Sequence, residues 1–487
     1  MNRAAMFVLV LVTLAACGED EGKVPTEILA ADVYANRCEA PRKGEDAAGD
    51  AFPDKNGSLL DEQLFLRSWI DDTYLWYLEV PRANPKMFDN TLDYFGILRT
   101  GVKTASGKDK DQFHFTYTTE EWLALSSSGT TASYGLTWSL LKSTPPRQIV
   151  VAYVEPNSPA ANAGIVRGTL GVTVDGVDVA AGDDVDTLNA GLFPDAPNVS
   201  HTLVVRDPGA TTTREVMLTS TTVTSVPVTR IPLAAPNDKI GYLQFNDHIR
   251  TAEKGLFDEI TNLQAAGITD LVLDLRYNGG GYLVLAAELG YMIGGTATEG
   301  KTFETIHFND KHTTSDPITG APLTPTLFQT TTVLSAPTGR ALPHLDLKRV
   351  FILTGPGTCS ASEAVMNGLA GADIEVIQIG ATTCGKPYGF YAQDNCGTTY
   401  FAIQFQGVNA KDFGNYADGF APTTGCDIAD DFTHQIGDPA EARLAAALSY
   451  IATGSCQAVA ARSSNPLAAI DGVVQKPLWL QNAIKTR

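Results

Sequence analysis

The feature that most constrains the fold is a regular alternation of apolar strands with helical stretches in the second half of the chain. Apolar strands are predicted at Ile240–Phe245, Leu271–Arg276, Arg349–Leu353 and Ile374–Ile379. An amphipathic helix is predicted from Thr251 to Ala266, and another begins near Ser360. Because strands that alternate with helices pair into one covered sheet, the sequence predicts an α/β core.

The regions before this core differ from it in periodicity. The 487 residues suffice for two to four domains, at roughly 100–200 residues per domain. Residues 58–130 place apolar side chains such as Leu64 and Trp69 at three- and four-residue steps, which predicts a small helical domain. Residues 131–225 switch to short strands and tight turns, which predicts a β domain. Residues 297–345 are rich in Thr and Pro, which predicts an insertion or a long hairpin.

The start of the sequence has the pattern of an exported lipoprotein. A short apolar stretch after Arg3 predicts a signal peptide over residues 1–16, and Leu14-Ala-Ala-Cys17 resembles a bacterial lipobox. In such a protein Cys17 is lipidated, and residues 17–57 are predicted to be a tether. Gly18 gives no inner-membrane retention signal, so we expect an outer-membrane anchor in the cell envelope, facing the periplasm or the cell surface. The alternative is an ordinary cleaved signal with an incidental cysteine.

The net charge and the cysteine content indicate which partners, cross-links and metal sites to expect. Acidic residues outnumber basic ones by 55 to 35, and a net charge of −20 disfavours nucleic acid as a partner. Without Cys17, six cysteines remain, and an even number in an exported protein predicts disulfides. By sequence proximity the pairs Cys384–Cys396 and Cys426–Cys456 are favoured. No CxxC or HExxH pattern occurs, so we expect neither a metal site nor a cofactor.

Glycine-rich turns after two apolar strands are the best candidates for a chemical site. The first is Asp274-Leu-Arg-Tyr-Asn-Gly-Gly-Gly281, whose consecutive main-chain N–H groups suit a developing oxyanion. The second, Thr354-Gly-Pro-Gly-Thr-Cys-Ser-Ala-Ser-Glu363, leads from a strand into a helix. Taken alone, its Ser360 and Glu363 read as a helix N-cap and a capping box. A third turn presents Lys386, and a lysine can act as a base if desolvation keeps it neutral.

Together, the first turn, Cys359-Ser-Ala-Ser-Glu363 and Gly385-Lys386 resemble the C-terminal processing (tail-specific) serine peptidases, over about residues 60–452. The resemblance implies a crotonase/ClpP-like α/β catalytic domain at 226–455 with an inserted PDZ-like β domain at 131–225. A small helical N-terminal domain at 58–130 and a C-terminal tail at 456–487 complete this division.

The resemblance also implies the catalytic residues of a serine endopeptidase that works through an acyl-enzyme. Ser360 matches the nucleophile and Lys386 the general base. The Ala361 N–H and a glycine of the triple, for which we choose Gly280, match the oxyanion hole. Glu363 matches a supporting carboxylate.

A second resemblance concerns substrate capture. Ser158-Pro-Ala-Ala-Asn-Ala-Gly-Ile-Val-Arg-Gly168, followed by Val174-Asp-Gly176, resembles the most recognisable stretch of a PDZ domain. It implies that Tyr134, Gly135 and Leu136 form the carboxylate-binding loop, where a peptide adds a strand. The expected partners are proteins or peptides with exposed C-termini, with membrane contact through the lipid anchor only.

The sequence departs from the family pattern in several places, which keeps two alternatives open. Serine and lysine are 26 residues apart, one more than the usual spacing, and Pro387 stands where Gly is usual. Phe390 occupies the position of a lysine-orienting Gln. These departures favour a non-catalytic peptide-binding or scaffold lipoprotein as the alternative function. A third interpretation takes Cys359 as nucleophile, although no His lies near it in the sequence.

Overall fold

The computed structural model describes residues 27–46, 49–335, 337–456, 473–474 and 483–484. Its N-terminal region is mostly helical, as predicted. Helix α1 begins after Ser58, whose hydroxyl caps the Asp61 N–H, and it buries Trp69 against Phe95. Short 3-10 turns lie at Ala31–Val33, Tyr77–Glu79 and Pro85–Met87. The longer elements are β1 (Arg37–Cys38), β2 (Lys55–Asn56), α1 (Leu59–Thr73), α2 (Thr91–Ile97), β3 (Phe115–Thr118) and α3 (Thr119–Ser128).

The tether predicted over residues 17–57 is wrong for the part that the structure describes. Strand β1 pairs in parallel with β2, and Cys38 forms a disulfide with Cys396 at a sequence separation of 358. The Asn36 N–H also donates to the Asn395 side chain at 2.8 Å. This stretch is therefore fastened to the second half of the chain. The predicted signal peptide and Cys17 lie outside the described residues.

The β domain has the predicted PDZ-like character. Its main sheet has the order β10–β9–β7–β6–β5, with β8 paired to β7, and β4 pairs with β11. Trp138, Val151 and Leu188 lie in its hydrophobic core. The elements are β4 (Thr130–Ser133), β5 (Leu136–Lys142), β6 (Gln148–Val154), α4 (Pro159–Asn162), β7 (Leu170–Val174), β8 (Val177–Asp178), α5 (Val185–Leu192), β9 (Ser200–Arg206), β10 (Arg214–Thr219) and β11 (Thr221–Thr224).

The predicted α/β core is a five-stranded sheet of order β12–β13–β14–β18–β19, in which β13, β14, β18 and β19 are parallel. Leu273 packs in the cluster of α6, α7 and α8, whereas its neighbour Val272 packs in a different cluster. This two-sided burial explains the continuous apolar run. The elements are β12 (Val228–Arg230), β13 (Ile240–Phe245), α6 (Ala252–Ala266), β14 (Asp270–Asp274), β15 (Gly281–Tyr282), α7 (Leu283–Gly294), β16 (Thr302–His307), β17 (Thr326–Leu327), β18 (Arg349–Thr354), α8 (Ala361–Gly371) and β19 (Glu375–Gly380).

A second sheet lies beside this core, with the order β15–β25–β20–β23–β16–β17. A further strand, β24, adds to β5 of the PDZ-like domain, and β3 completes a small sheet with β21 and β22. The remaining elements are β20 (Tyr388–Phe390), β21 (Gln393–Asn395), β22 (Thr398–Phe401), β23 (Phe405–Val408), α9 (Ala442–Thr453), β24 (Val473–Val474) and β25 (Ala483–Ile484). Within the described residues no helix has the length and apolar character needed to cross a membrane.

Candidate active site

Ser360 lies at the junction between β18 and helix α8. It has φ 59° and ψ −114°, a conformation that a residue with a side chain rarely adopts. The serine turn is tied to the first glycine-rich turn, because the Cys359 N–H and the Ser362 hydroxyl both donate to the Asn278 carbonyl. The structure thus brings together the two turns that the sequence singled out.

Lys386 follows β19 and lines the same small pocket as Ser360. Its side chain is 1% exposed, and Nζ lies 4.4 Å from the ring centroid of Phe113 and 4.5 Å from that of Phe390. Burial lowers the pKa of Lys386 well below its ordinary value, against the opposing effects of Asp111 and Glu363. The other residues lining the pocket are Leu283, Glu304, Ala364, Pro387, Tyr388, Phe405, Gly407 and Tyr416.

The side chain of Glu363 connects the serine turn to the lysine turn. Its carboxylate accepts the main-chain N–H groups of Ser360 at 2.9 Å, Gly385 at 2.9 Å and Lys386 at 2.8 Å, and the Thr383 hydroxyl. Burial raises the pKa of Glu363, although each of these hydrogen bonds acts to lower it. Glu363 is therefore a positioning residue for both turns, and it accepts the Ser360 N–H as a capping box requires. The Ser360 Oγ is buried without a hydrogen-bond partner among the described residues.

The predicted oxyanion residues meet at Ser360. A Cβ placed on Gly280 would lie 2.9 Å from the Ser360 Cβ and 3.0 Å from the Ala361 N, so only glycine fits there. As the first residue of α8, Ala361 has an N–H group with no acceptor inside the helix, at the positive end of the helix dipole. The Gly280 N–H, however, donates to the Asn278 Oδ1 at 3.0 Å. A donor role for the Gly280 N–H therefore requires release of this bond.

His248 supports the glycine-rich turn and was not identified from the sequence. It is fully buried, and its Nδ1 lies 3.0 Å from the same Asn278 Oδ1. Burial lowers the pKa of His248 to about 3, so the ring is neutral at physiological pH. Its N–H and C=O also bond the main chain of Gly280 and Tyr282. His248 lies between β13 and α6 and belongs to no sequence motif, so the sequence alone could not identify it as a site residue.

The disulfides overturn one of the two predicted pairs and confirm the other. Cys384 pairs with Cys359, not with Cys396, and the structure thereby joins the lysine turn covalently to the serine turn. The Cys426–Cys456 pair is confirmed. Sequence proximity favoured Cys396 as the partner of Cys384, but the turn between β21 and β22 carries Cys396 to Cys38 instead. Because Cys359 is oxidised, its interpretation as a nucleophile is contradicted.

The predicted carboxylate-binding loop lies at the start of β5. Gly135 has φ +76°, and a Cβ there would approach the Ser158 Cβ to 2.2 Å, so this turn needs glycine. The Gly135 N–H donates to the Ser133 Oγ at 3.2 Å, and Tyr134 is buried with its C=O accepting the Ala160 N–H. Leu136 begins the strand, one edge of which pairs with β6 and the other with β24.

A buried ionic network connects the PDZ-like domain to the catalytic core. Arg167, just before β7, donates to the Asp430 carboxylate at 2.6 Å and to the Tyr277 hydroxyl. Arg276 binds the same Asp430 at 3.0 Å and forms a bidentate pair with Glu441 at 2.8 and 3.0 Å. Tyr277 directly precedes Asn278, so the network reaches the glycine-rich turn. No motif in the sequence indicates this network.

A buried serine and a buried lysine thus line one small pocket beside a glycine-rich turn, in an α/β core that carries a PDZ-like domain. Serine nucleophiles paired with a lysine in place of the Ser-His-Asp pattern occur in serine peptidases. Residues 239–390 match the model of peptidase family S41. The matched segment, less than half of the chain, is similar to this family, whose carboxyl-terminal processing proteases are serine-type peptidases.

Two curated relatives match part of the chain. A chloroplastic C-terminal processing peptidase of Tetradesmus obliquus is 31% identical over 161 residues, which cover 30% of this chain and 34% of the relative. A carboxyl-terminal-processing protease of Picosynechococcus sp. is 28% identical over 173 residues, which cover 34% of this chain and 39% of the relative. The chain thus spans little more than a third of the length of these relatives.

A solved structure of an S41 protease from Bacteroides fragilis shares the fold. It aligns with a TM-score of 0.59 at 23% identity and covers 80% of this chain and 97% of that chain. This similarity extends well beyond the 239–390 segment.

Proposed function

We propose that the protein is a serine endopeptidase that captures polypeptides by their C-terminal segments and cleaves them with a Ser360–Lys386 dyad. The observation that carries this proposal is the shared pocket of the two side chains, where Lys386 is buried between aromatic rings. A lysine whose pKa is lowered by burial is neutral at a pH where an exposed lysine is charged, so it can accept a proton.

The chemistry follows from these positions. Lys386 Nζ takes the proton of the Ser360 hydroxyl as Oγ attacks the scissile carbonyl and an acyl-enzyme forms. The Ala361 N–H and a main-chain N–H of the glycine-rich turn stabilise the oxyanion of the tetrahedral intermediate. Lysine then returns the proton to the leaving amine, and water hydrolyses the ester by the same route in reverse. Glu363 fixes both turns and takes no part in proton transfer.

Substrate selection is proposed to involve the PDZ-like domain. An extended peptide that pairs with the edge of β5 opposite β6, in place of β24, would place its C-terminus toward Tyr134, Gly135 and Leu136. The pocket beside Ser360 is lined largely by apolar and aromatic side chains, which suits an apolar residue next to the scissile bond. The substrates so defined are unfolded polypeptides with apolar C-terminal segments.

The experiment compares wild type, Ser360→Ala and Lys386→Arg with casein as an unfolded substrate. A fluorophosphonate probe should add its mass to wild type and leave Ser360→Ala unmodified. Hydrolysis that survives in Ser360→Ala, or a probe attached elsewhere, would contradict the assignment of the nucleophile.

One observation favours the second candidate, a peptide-binding scaffold. The Ser360 Oγ has no hydrogen-bond partner among the described residues, so serine and lysine are not hydrogen-bonded to each other in this arrangement. A scaffold would bind peptides through β5 with equal affinity in wild type and Ser360→Ala, and it would fail to react with the probe. Labelling of Ser360 decides between the two functions.

Attachment to the outer membrane through Cys17 is also proposed, on the lipobox-like Leu14-Ala-Ala-Cys17. Cys17→Ser should move the protein from the membrane fraction to the soluble fraction without changing its peptidase activity. Wild type found wholly in the soluble fraction would refute the anchor.

A further inference from the structure

The N-terminal region supplies an aromatic ring to the candidate active site. The ring centroid of Phe113 lies 4.4 Å from the Lys386 Nζ, on a segment that directly precedes strand β3. Phe113 is half-buried and Lys386 is 1% exposed, so this ring forms part of the layer between the amine and solvent. The catalytic domain predicted at 226–455 contains Lys386 but does not contain this part of its cover.

The carboxylate of Asp111 holds the Phe113 segment in place. It is 1% exposed, and its Oδ1 accepts the Phe113 N–H at 2.8 Å while its Oδ2 accepts the Tyr74 hydroxyl at 2.6 Å. His114 lies 3.4 Å from the same carboxylate and stacks on the ring of Phe95. Because Tyr74 directly follows α1 and Phe95 belongs to α2, the segment is anchored to both helices.

Asp111 also places a negative charge near the lysine. Burial raises the pKa of Asp111, but the hydrogen bonds from its neighbours outweigh burial and the pKa lies below its ordinary value. The carboxylate is therefore ionised at neutral pH, and together with Glu363 it favours the protonated form of Lys386.

The aromatic cover acts on the amine in the opposite direction to these carboxylates. An aromatic face attracts an ammonium ion, but a ring that excludes water disfavours the charged form. Burial lowers the pKa of Lys386 well below its ordinary value, so the exclusion of water outweighs both the attraction of the rings and the charges of Asp111 and Glu363. The protonation state of Lys386 is thus a balance to which the Asp111–Phe113 segment contributes on both sides.

We propose that Phe113 and Asp111 are positioning residues for the base of the peptidase reaction: Phe113 keeps water from the Lys386 amine, and Asp111 fixes this ring and sets the charge beside the amine. The proposal rests on the proposed peptidase function, since it concerns the base of that reaction. It makes the N-terminal region a part of the active site.

The test measures kcat/KM of the full-length chain against pH, with a fluorogenic peptide that has an apolar C-terminus. Phe113→Ala admits water to Nζ and should move the midpoint of the profile up by about 1 pH unit, which lowers kcat/KM about tenfold below the wild-type midpoint. Phe113→Leu keeps an apolar cover and should restore the wild-type midpoint. The control Phe88→Ala removes a half-buried ring of the same N-terminal cluster, one that packs on Tyr94, and should leave the midpoint unchanged.

Asp111→Asn is expected to have an effect of opposite sign. The amide keeps an oxygen for the Phe113 N–H but removes the charge, so the midpoint should move down by about 1 pH unit. A purely structural role would lower kcat/KM equally at every pH. If either midpoint stays in place, or if both move in the same direction, the proposal is overturned. The other ionisable groups around the lysine are the same in every variant, namely Glu304, Glu363, Tyr388 and Tyr416.

A second measurement does not depend on catalysis. In the Ser360→Ala background, the pKa of the Lys386 amine is measured by nuclear magnetic resonance of ¹³C-labelled lysine Cε, and Lys386→Met identifies the signal. Phe113→Ala should raise this pKa, and Asp111→Asn should lower it. If the pKa responds but no variant that retains Ser360 hydrolyses peptide, the two residues control the lysine as proposed and the peptidase function fails. If peptide is hydrolysed but neither the profile nor the pKa responds, the peptidase function stands and the roles of Phe113 and Asp111 are refuted.

Discussion

Two buried basic side chains of this molecule, Arg276 and Lys386, have opposite electrostatic surroundings. Arg276 is 2% exposed and is surrounded by the carboxylates of Asp274, Asp430 and Glu441. Lys386 is 1% exposed, and its Nζ lies against two aromatic rings. Burial alone would lower the pKa of both groups, but the three carboxylates raise the pKa of Arg276 well above its ordinary value. Burial among counter-charges therefore favours the charged form of Arg276, whereas burial against aromatic rings favours the neutral form of Lys386, which the proposed mechanism requires.

The largest expected effect comes from restoring a permanent charge at the lysine. Lys386→Arg should reduce kcat at least ~10⁴-fold, although the positive charge is kept, because arginine does not deprotonate in proteins. The measurement is the steady-state rate on an apolar peptide.

Ser360→Ala is the control for this prediction and should be equally inactive. The double variant should lose little more activity than either single one, since the two residues act as a unit. Substantial activity in Lys386→Arg would rule out lysine as the base.

The same contrast predicts opposite effects on stability. Arg276→Met leaves the buried carboxylates of Asp274, Asp430 and Glu441 without their central partner, and should lower the free energy of unfolding by about 3–5 kcal/mol. Lys386→Met replaces a neutral buried amine by an apolar side chain of similar length, and should leave stability unchanged or increased. Urea unfolding in a Ser360→Ala background, which prevents self-digestion, gives both values. Equal destabilisation by the two substitutions would mean that Lys386 is also held as an ion.

Local patterns were sufficient to predict the strands of the core and the two turns that carry Ser360 and Lys386. Strands β13, β14, β18 and β19 start and end within two residues of their predicted bounds, because each is an apolar run between turn residues. Ser360 and Lys386 stand in turns at strand ends that are visible in the sequence, but their catalytic roles were predicted from the resemblance to a peptidase family and stay predictions.

Long-range contacts could not be predicted in the same way. Phe113 reaches Lys386 from the N-terminal region, and Arg167 reaches Asp430 from the PDZ-like domain. Nothing in the sequence near either residue encodes its partner. The disulfide of Cys38 with Cys396 is of the same kind, and proximity in sequence therefore misassigned Cys396.

A smaller effect is expected from the bond that joins the serine turn to the lysine turn. Replacing Cys359 and Cys384 together by Ala should lower kcat about 10–100-fold, because a displacement of about 1 Å between reacting groups can cost that much. Mild reduction of the Cys359–Cys384 disulfide in the wild-type protein should also lower kcat.

The matched control is the double variant Cys38→Ala with Cys396→Ala. That disulfide closes a far longer loop, so its loss should cost at least as much stability, yet it contacts neither turn and kcat should be kept. If both double variants keep the wild-type kcat, the Cys359–Cys384 bond is structural only.

The smallest effect is the pH dependence of stability that Lys386 imposes. Because its pKa is lowered in the folded protein, the unfolded chain binds a proton at this residue at pH values where the folded chain does not. Stability must therefore rise with pH from the folded pKa up to the ordinary value of 10.5, by at most about 1.4 kcal/mol per pH unit. Activity should rise through the same folded pKa, as lysine becomes the free base.

The buried carboxyl group of Glu288 makes the free energy of unfolding change with pH in the opposite direction to Lys386. The contribution of Lys386 must therefore be obtained as the difference between two protein variants. Burial and the neighbouring Glu253 raise the pKa of Glu288 to about 10, so the folded chain binds a proton there that the unfolded chain releases above about 4.5. Its contribution to stability is lost as pH rises toward 10, which is the opposite sign. Subtracting the stability profile of Lys386→Met from that of a Lys386-containing protein, both carrying Ser360→Ala, cancels the Glu288 contribution. A difference that rises with pH supports a neutral lysine, whereas a flat or falling difference would show that Lys386 is charged in the folded protein.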